Sequence, residues 1–392
     1  MTEYGVLQLN DRIYLDNSAT TKVDPNSLEI MNYYHSVDYG NPSSLHRMGM
    51  AGEKKMEEAR ETIASLFKAK PRQIVFTSGG TEGNNLILRG VIEKYKTRKS
   101  KIITSKMEHP SVLEVLKEYE EQGLQVVYLE VNQWGDYNEE ELLKEVDSDT
   151  MLVSMMKVNN ETGKINDLKK IRQICDRKNP ECLIHSDWVQ ALGKIATSPV
   201  DEGVDFATTS GHKVHGPKGV GFMYIKNQQK LQSVMKGGGQ ENGIRSGTQN
   251  VPAIAGFEEA LKNARSDHAG DIRQMKQKIL TFVDENIEEV SINSPLRDDF
   301  SDHIISLSFN DVKGEILLHS LEQKGVYVST GSACSSKKEK DSPVIKAMGI
   351  PDEYRKGTIR ISLSKYNSVD EMGRALQILK EEVKKIRKVL RR

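Results

Sequence analysis

Short apolar runs alternate with amphipathic segments through the first two-thirds of the chain. Segments with apolar residues at helical spacing, such as Glu53–Phe67 and Asn84–Lys94, stand between the runs. The runs predict seven buried strands, the last of them antiparallel: Gln73–Thr77, Lys101–Thr104, Gln125–Leu129, Met151–Met155, Leu183–Ser186, Phe206–Thr209 and Gly221–Ile225. This alternation predicts an α/β fold in which helices cover both faces of a mostly parallel sheet.

The pattern changes after a predicted helix at Ala253–Arg265. The following stretch predicts a smaller α+β unit with helices and strands in turn: Asp271–Asn286, Ile304–Phe309, Gly314–Lys324 and Thr358–Leu363. A last helix has a capping-box start, Ser368 followed three residues later by Glu371. We therefore expect a large domain at 16–262 and a small domain built from 1–15 and 263–392.

Composition narrows the class of protein. The 392 residues carry 56 basic and 56 acidic side chains, so no direct binding of nucleic acid is expected. No apolar run approaches the roughly 20 residues of a membrane-spanning helix, and the N-terminus lacks the features of a signal peptide. Three cysteines do not suit a disulfide framework. These features predict a soluble cytoplasmic protein without a membrane partner.

Asp187 and Lys213 are a candidate catalytic pair. Asp187 ends one predicted strand, and Lys213 follows the next one. Taken singly, most such aspartates are caps and most lysines are solvated, but a partly desolvated lysine is a usable amine nucleophile. Together they suit pyridoxal 5′-phosphate, which a lysine holds as a Schiff base while a carboxylate keeps the pyridine nitrogen protonated. Gln190 is placed to hydrogen-bond the ring hydroxyl.

A glycine-rich turn, Thr77-Ser-Gly-Gly-Thr-Glu-Gly-Asn-Asn85, follows a predicted strand and opens a helix. Backbone N–H groups at such a turn bind phosphate oxygens, helped by the helix N-terminus. Many glycine-rich turns are only tight turns, and the lack of a Gly-Lys-Ser/Thr ending argues against a P-loop. Ser210, His212 and Thr248 are candidate additional donors.

His109 ends another predicted strand, in Ser105-Lys-Met-Glu-His-Pro110. A single histidine is more often a satisfied polar residue than a catalyst, but ligands of parallel sheets collect at this edge. We therefore expect His109 to stack on the cofactor ring and to move protons near neutral pH. Metal binding by His212 and His215 is the competing interpretation; no third ligand stands at convincing spacing, so no metal is expected.

Cys334 lies among small and hydroxyl-bearing residues, shortly before Lys337 and Lys338. Nearby cations favour the reactive thiolate, and a mobile loop at about 328–342 would let the thiol receive sulfur. Taken alone, Cys334 would be a passive surface cysteine. Arg360 is a charge inside a strand-like apolar run, which suits either a clamp on a substrate carboxylate or a structural salt bridge.

Taken in order, these segments resemble the NifS/IscS-type cysteine desulfurases of the class-V aminotransferase family, which are fold-type-I enzymes that use pyridoxal phosphate. Further motifs extend the resemblance over nearly the whole chain: Tyr14-Leu-Asp-Asn-Ser-Ala-Thr-Thr21, Asn41-Pro-Ser-Ser-Leu-His46, Val158-Asn-Asn-Glu161 and Gly237-Gly-Gly-Gln-Glu241. The chain departs from the family pattern at Trp188, where a small residue is usual, so the pocket wall is expected to differ there.

The resemblance implies a role for each candidate residue. Lys213, Cys334 and His109 would be catalytic, and Cys334 would carry the persulfide. Asn160 and Arg360 would hold the substrate carboxylate. The implied cofactor contacts are Gly80, Thr81, His109, Asn160, Asp187, Gln190, Ser210, His212 and Lys213, with Thr248 supplied by the second subunit of a homodimer.

The implied activity removes sulfur from L-cysteine and leaves alanine and a persulfide on Cys334. The persulfide would pass to an acceptor protein, either an iron–sulfur scaffold or a tRNA-thiolating enzyme. A selenocysteine lyase or another aminotransferase with the same cofactor is the alternative. A non-enzymatic sulfur carrier or RNA-associated protein, relying on Cys334 and the basic C-terminus, is the third. Transient iron–sulfur ligation by Cys334 has no second ligand in its favour.

Overall fold

The computed structural model describes residues 12–264, 269–330 and 342–391. The α-helices within these ranges are α1 (Pro25–Ser36), α2 (Arg47–Leu66), α3 (Gly80–Tyr95), α4 (Pro110–Glu120), α5 (Glu139–Glu145), α6 (Leu168–Lys178), α7 (Val251–Ala264), α8 (Ala269–Asn286), α9 (Gly314–Glu322), α10 (Pro343–Ala347), α11 (Asp352–Arg355) and α12 (Val369–Leu390). None of these described helices combines the length and the apolarity that crossing a bilayer requires.

The strands of the same ranges are β1 (Ile13–Tyr14), β2 (Ile74–Thr77), β3 (Lys101–Ser105), β4 (Gln125–Leu129), β5 (Thr150–Ser154), β6 (Leu183–Asp187), β7 (Phe206–Thr208), β8 (Gly221–Ile225), β9 (Val290–Ile292), β10 (Ile304–Phe309), β11 (Val326–Tyr327) and β12 (Thr358–Ser362). A short 3₁₀ turn at Gly211–Lys213 follows β7.

The central sheet has seven strands in the order β2–β8–β7–β6–β5–β3–β4. β8 runs antiparallel to both of its neighbours, and the other pairs in this sheet are parallel. The predicted α/β fold is therefore confirmed, including the position of the antiparallel strand. The carboxyl ends of the remaining six strands lie along one edge, where the loops that carry the candidate residues begin.

Helices cover both faces of this sheet. Ile102 belongs to the apolar core formed with α3 and α4, whereas its neighbour Ile103 belongs to the core formed with α2, α6 and α7. Leu152 and Val153 divide between the two cores in the same way. Successive side chains of a strand point to opposite faces. Burial on both faces thus explains why these strands are continuous apolar runs rather than alternating ones.

A further core surrounds the antiparallel sheet β12–β10–β9. Helices α8 and α12 bury apolar residues in it, including Ile279 and Leu379. β1 pairs in parallel with β11, so Ile13 joins this core from the other end of the chain. The expected domain boundaries at 16 and 262 stay a prediction.

Candidate active site

Five loops at one edge of the sheet carry the candidate residues. Gly80 begins α3 after β2, and His109 caps α4 after β3. Asn160 follows β5, Asp187 ends β6, and Lys213 lies in the turn after β7. Because parallel strands end on the same side of a sheet, these residues share the edge at which ligands of α/β folds bind.

Asp187 is buried and its carboxylate is oriented by two donors. Oδ2 accepts from Nδ2 of Asn84 at 2.8 Å, and Oδ1 accepts from the backbone N–H of Val189 at 2.9 Å. The same Asn84 amide donates to Oγ of Ser111 at 2.8 Å, and its Oδ1 lies 3.1 Å from Nε2 of His185. An amide nitrogen that faces a carboxylate must be the donor, so the orientation of Asn84 is determined. The protein itself therefore fixes Asp187 in place.

Nδ1 of His109 is hydrogen-bonded to Ser111 in the first turn of α4, the helix that His109 caps. Nδ1 accepts from the backbone N–H of Ser111 at 3.1 Å and lies 2.8 Å from Oγ of the same residue. A nitrogen that accepts a backbone N–H keeps its lone pair, so the neutral ring carries its proton on Nε2. Burial lowers the pKa of His109; the charge of Asp187 opposes that shift and the charge of Lys213 adds to it. Asp187 and Lys213 therefore both lie within electrostatic range of His109.

Lys213 is held by main-chain oxygen atoms. Its Nζ donates to the carbonyls of Ser18 at 2.6 Å and Ala19 at 2.7 Å. The Ser18 carbonyl also accepts from Nε2 of Gln190 at 3.0 Å, so Gln190 and Lys213 share an acceptor. Oε1 of Gln190 in turn accepts from Nζ of Lys194 at 2.9 Å, which leaves the amide N–H of Gln190 on the Lys213 side.

The glycine-rich turn has the form of a phosphate cradle. Gly79 adopts a φ of 149°, and a Cβ on Gly80 would lie 2.8 Å from Cγ2 of Val189, so a side chain at either position is strained. A Cβ on Gly79 would lie 3.5 Å from Oγ of Ser210, which places Ser210 against the turn. Thr81, in the first turn of α3, is exposed. The N-terminus of this 16-residue helix supplies N–H donors to an anion.

His212 lies beside Lys213 in the 3₁₀ turn that follows β7. Burial lowers the pKa of His212 to about 4, with Lys213 and other lysines adding to the shift, so the ring is neutral near pH 7. Nδ1 of His212 lies 3.2 Å from Oγ1 of Thr20. His215 is occupied differently, by the carbonyl of Lys22 at 2.8 Å from its Nδ1. Within the described ranges, no three His, Cys, Asp or Glu side chains converge as a metal site would require.

Arg360 joins the loop after β5 to the N-terminal segment. Its Nη1 donates to the main-chain carbonyl of Asn160 at 2.8 Å, and its Nη2 donates to Oδ1 of Asp16 at 2.8 Å. The side chain is buried, and Nε has no partner among the described residues. The salt bridge that the sequence left open as an alternative is therefore present, and the role of Arg360 as a clamp on a substrate carboxylate stays a prediction.

Two predicted residues are not brought into this cluster. Thr248 is exposed on the segment that precedes α7, and its action from a second subunit stays a prediction. Cys334 and most of the expected loop at 328–342 lie outside the described residues. The flanks of that loop are described: Ser329 exchanges two backbone hydrogen bonds with Arg360, and Oγ of Ser342 donates to Oε2 of Glu161.

Trp188, where the resemblance implies a small residue, is buried. It packs against Phe67 with ring centroids 6.3 Å apart. It also lines a cavity of about 470 Å³ that reaches Lys194 and Lys213. The large ring therefore forms a wall behind the Lys213 side of the site.

Sequence reasoning missed several polar residues of the site: Asp16, Asn84, Ser111, His185 and Lys194. The available signal was a polar residue inside a buried run. His185 stands within apolar β6, and a buried polar group requires a partner. Its partners, Asn84 and Ser154, lie in other loops and strands, so the signal points to a network without naming its members.

The residues present fit pyridoxal phosphate: an N-terminal helix turn for the phosphate, Asp187 for the ring nitrogen, and Lys213 for the aldehyde carbon. Comparison with known proteins agrees. The family model "Aminotransferase class-V" matches residues 13–374. Cysteine desulfurase IscS of Dictyoglomus turgidum is 37% identical over 380 residues, which is 96% of each chain.

Solved structures of similar proteins point to the same family. That of a NifS-like protein is 39% identical with a TM-score of 0.89, covering 95% of this chain and 99% of the other. That of SspA in complex with cysteine is 29% identical with a TM-score of 0.80, covering 91% and 99%. The chain therefore belongs to the aminotransferase class-V family, among the NifS- and IscS-type cysteine desulfurases.

Proposed function

We propose that this protein is a cysteine desulfurase that uses pyridoxal 5′-phosphate to convert L-cysteine into L-alanine, leaving a persulfide on Cys334. The observation that carries the proposal is that Asp187 and Lys213 both lie within electrostatic range of His109 at the carboxyl edge of one sheet. The match to IscS over 96% of the chain, and the cysteine bound by the relative SspA, support the substrate.

Cofactor binding is divided among the loops. Lys213 would bind the aldehyde carbon through its ε-amine, and Asp187 would hold a proton on the ring nitrogen. Gln190 would donate its amide N–H to the ring hydroxyl, since Lys194 occupies the amide oxygen. When bound, the cofactor provides a ring that accepts the electron pair left at the substrate α-carbon. Gly80, Thr81, Ser210 and His212 would bind the phosphate, joined by Thr248 of a second subunit.

Proton transfers fall to Lys213 and His109. The amine of Lys213, once released from the cofactor, removes the α-proton of the substrate, and the carbonyls of Ser18 and Ala19 bind its protonated form. His109 exchanges protons only through Nε2, because Ser111 occupies Nδ1. Its lowered pKa favours the neutral ring, whose Nε2 carries the proton that it can donate.

Sulfur transfer requires a thiolate at Cys334. The thiolate attacks the substrate sulfur, an S–S bond forms and the Cβ–S bond breaks. The electron pair of that bond stays on Cβ, which takes up a proton to become the methyl group of alanine, so no external oxidant or reductant enters. Cys334 is five residues beyond Ser329, and an extended chain of that length spans at most about 18 Å. Ser329 exchanges backbone hydrogen bonds with Arg360, so the segment that leads to Cys334 starts beside the proposed carboxylate site.

Substrate recognition falls to Arg360 and Asn160. Arg360 retains a buried Nε donor, and a guanidinium edge suits a carboxylate. Asn160 follows the buried Asn159, whose side chain holds the loop through the backbone N–H groups of Glu161 and Thr162 at 2.9 Å. The amino acid would therefore be gripped at its carboxylate, with its thiol left for Cys334.

A homodimer is part of the proposal. Exposed apolar side chains are concentrated around α1 and the start of α2: Leu28, Tyr33, Val37, Tyr39, Leu45 and Met50. Leu45 is 97% exposed, and such a concentration marks a protein interface. Light scattering should give twice the 44.1 kDa of one chain. A monomer would leave Thr248 without a site to reach.

The decisive experiment replaces Cys334 with Ser. The purified variant should keep its cofactor absorbance and lose persulfide formation from labelled L-cysteine, while Cys175→Ala and Cys182→Ala, at the buried thiols, should retain it. Borohydride reduction should attach the cofactor to Lys213 in each protein. Persulfide formation by Cys334→Ser would refute the assignment of that residue. A requirement for a keto acid would indicate an aminotransferase instead.

The acceptor decides the pathway served. We propose that the persulfide is delivered to a protein partner in the cytoplasm, either an iron–sulfur scaffold or a tRNA-thiolating enzyme. The buried free thiols of Cys175 and Cys182 suit that reducing compartment. Loading the enzyme with radiolabelled sulfur and following the label in cell extract identifies the acceptor. Label on a scaffold protein or on tRNA distinguishes the two routes.

A further inference from the structure

Residues 16–21 connect the part of the site around Lys213 with the part around Arg360. On the cofactor side, the carbonyls of Ser18 and Ala19 accept from Lys213, and the backbone N–H of Thr21 donates to the carbonyl of His212 at 2.9 Å. On the other side, the segment runs along β12, where the backbone N–H of Ser18 donates to Oγ of Ser362 at 2.8 Å. The segment thus contacts both the amine and the strand that carries Arg360.

Asp16 is the residue of this segment that contacts Arg360. Its Oδ1 accepts from Nη2 at 2.8 Å, and it is the one carboxylate that the described part of the chain pairs with this guanidinium. Its backbone is fixed: the Asp16 carbonyl accepts from the backbone N–H of Ala19 at 3.0 Å and from the Tyr14 hydroxyl at 3.1 Å. A carboxylate on so rigid a backbone holds its partner in one orientation.

We propose that Asp16 is a positioning residue for substrate recognition: it holds the Nη2 end of Arg360 so that the guanidinium presents its Nε edge to the α-carboxylate of the amino acid. The inference rests on the proposed function, in which Arg360 binds that carboxylate. It assigns a task to Asp16, the residue of the N-terminal motif that contacts Arg360 rather than Lys213.

Two physical effects oppose each other here. The charge of Asp16 weakens the pull of Arg360 on a second anion. Against this, a buried guanidinium without its carboxylate is an uncompensated charge, and it turns toward another acceptor. Glu161 is such an acceptor, since the charge of Arg360 already acts on its carboxyl. We expect the fixed orientation of Arg360 to outweigh the weaker attraction for the substrate carboxylate, because Asp16 binds Nη2 and leaves Nε unpaired.

The test compares ligands with and without a carboxylate. Calorimetry on the cofactor-loaded enzyme measures the binding of L-alanine and of L-alaninamide to Asp16→Ala and Asp16→Asn. We expect the Kd of L-alanine to rise about tenfold in Asp16→Ala and about threefold in Asp16→Asn, with L-alaninamide unchanged. KM for L-cysteine should rise in the same ratio at constant kcat, as for a group that acts on binding alone. Asp298→Ala, at a 96% exposed carboxylate, is the matched control.

Each other result has a definite meaning. Unchanged or tighter binding of L-alanine by Asp16→Ala overturns the inference, as does equal weakening of L-alaninamide, which is what general damage to the fold would cause. Arg360→Met separates this failure from failure of the proposed function. If Arg360→Met weakens L-alanine binding and Asp16→Ala does not, only the role of Asp16 is wrong. If neither weakens it, the carboxylate site itself is wrong.

Discussion

The hydroxyl of Ser342 donates a hydrogen bond of 2.5 Å to Oε2 of Glu161, which ties the start of α10 to the loop after β5. Burial raises the pKa of Glu161 from 4.5 to about 7, while this hydrogen bond and the charge of Arg360 act in the opposite direction. Between these two pH values the unfolded chain has released the proton and the folded protein retains it. The contribution of Glu161 to stability therefore falls as the pH rises from 4.5 to 7.

Glu161→Gln should abolish this pH dependence. The amide keeps a hydrogen-bonding side chain but cannot ionise, so the variant should lose less stability than the wild type between about pH 5 and about pH 8, by up to about 3 kcal/mol. Thermal unfolding at the two pH values measures the difference. Glu285→Gln, at an exposed position on α8, should behave like the wild type. Parallel pH profiles for wild type and Glu161→Gln would show that this carboxyl does not titrate as described.

Asn84→Ala should weaken cofactor binding. The change removes the donor to Asp187 Oδ2 and leaves His185 Nε2 without its acceptor. Losing a hydrogen bond to a charged group should raise the Kd of pyridoxal phosphate about tenfold. Titration of the apoenzyme, followed by absorbance, gives this value. Asn85→Ala provides a control on the same helix, because Asn85 is hydrogen-bonded locally to Thr81 and Arg89; equal loss in both variants would rule out the proposed role of Asn84.

Lys194→Met should change stability in the opposite pH direction to Glu161→Gln. Burial lowers the pKa of Lys194 from 10.5 to about 7, and the charges of Lys213 and Arg360 add to the shift. Between these values the unfolded chain binds more protons, so the Lys194 contribution to stability rises with pH across that window. The stability of the wild type, measured by thermal unfolding, should therefore rise relative to that of Lys194→Met between about pH 7 and about pH 9. The control Lys278→Met, on the exposed side of α8, keeps Lys194, so its stability should change with pH in the same way as that of the wild type.

Glu241→Ala should be among the most destabilising single changes. Arg60 binds Glu241 through two parallel bonds of 2.9 and 3.0 Å in the interior, and Glu241 also accepts from the backbone N–H of Phe76. Removing one member of a buried pair costs about 3–5 kcal/mol. Chemical denaturation should show this loss, and a smaller one for the double variant Arg60→Met/Glu241→Met. Lys54→Ala, in an exposed pair, should cost under about 1 kcal/mol.

The central sheet was predictable because its strands are buried on both faces, and a run such as Ile102–Ile103 needs no partner to be recognised. Helix α12 begins at Val369 because Ser368 caps it, as the capping box predicted. The short strands β9 and β11 were not predicted, since three and two residues carry no pattern. They exist because neighbouring strands offer hydrogen bonds.

The candidate site likewise has a part that the sequence predicts and a part that it does not. His109, Asp187 and Lys213 were predictable because each follows a strand, and strand ends share an edge. Their supporting contacts were not: Asn84 and Asp187 are 103 residues apart, and Asp16 and Arg360 are 344 apart. The first contact depends on the order of the strands in the central sheet, and the second on how the N-terminal segment lies against β12; no local pattern encodes either.

The oxygen atoms that hold Lys213 belong to the main chain at positions 18 and 19, and every amino acid brings the same carbonyl. Substitutions of the side chains at positions 18 and 19 should therefore leave the hydrogen bonds to the Lys213 amine in place. Selection acts instead on whatever keeps the turn in shape, such as Asn17, whose Nδ2 donates to the carbonyl of Ser362 at 2.9 Å. Mutational scanning should accordingly find position 17 intolerant and position 19 permissive, although the carbonyl at position 19 contacts the lysine and Asn17 does not hydrogen-bond it.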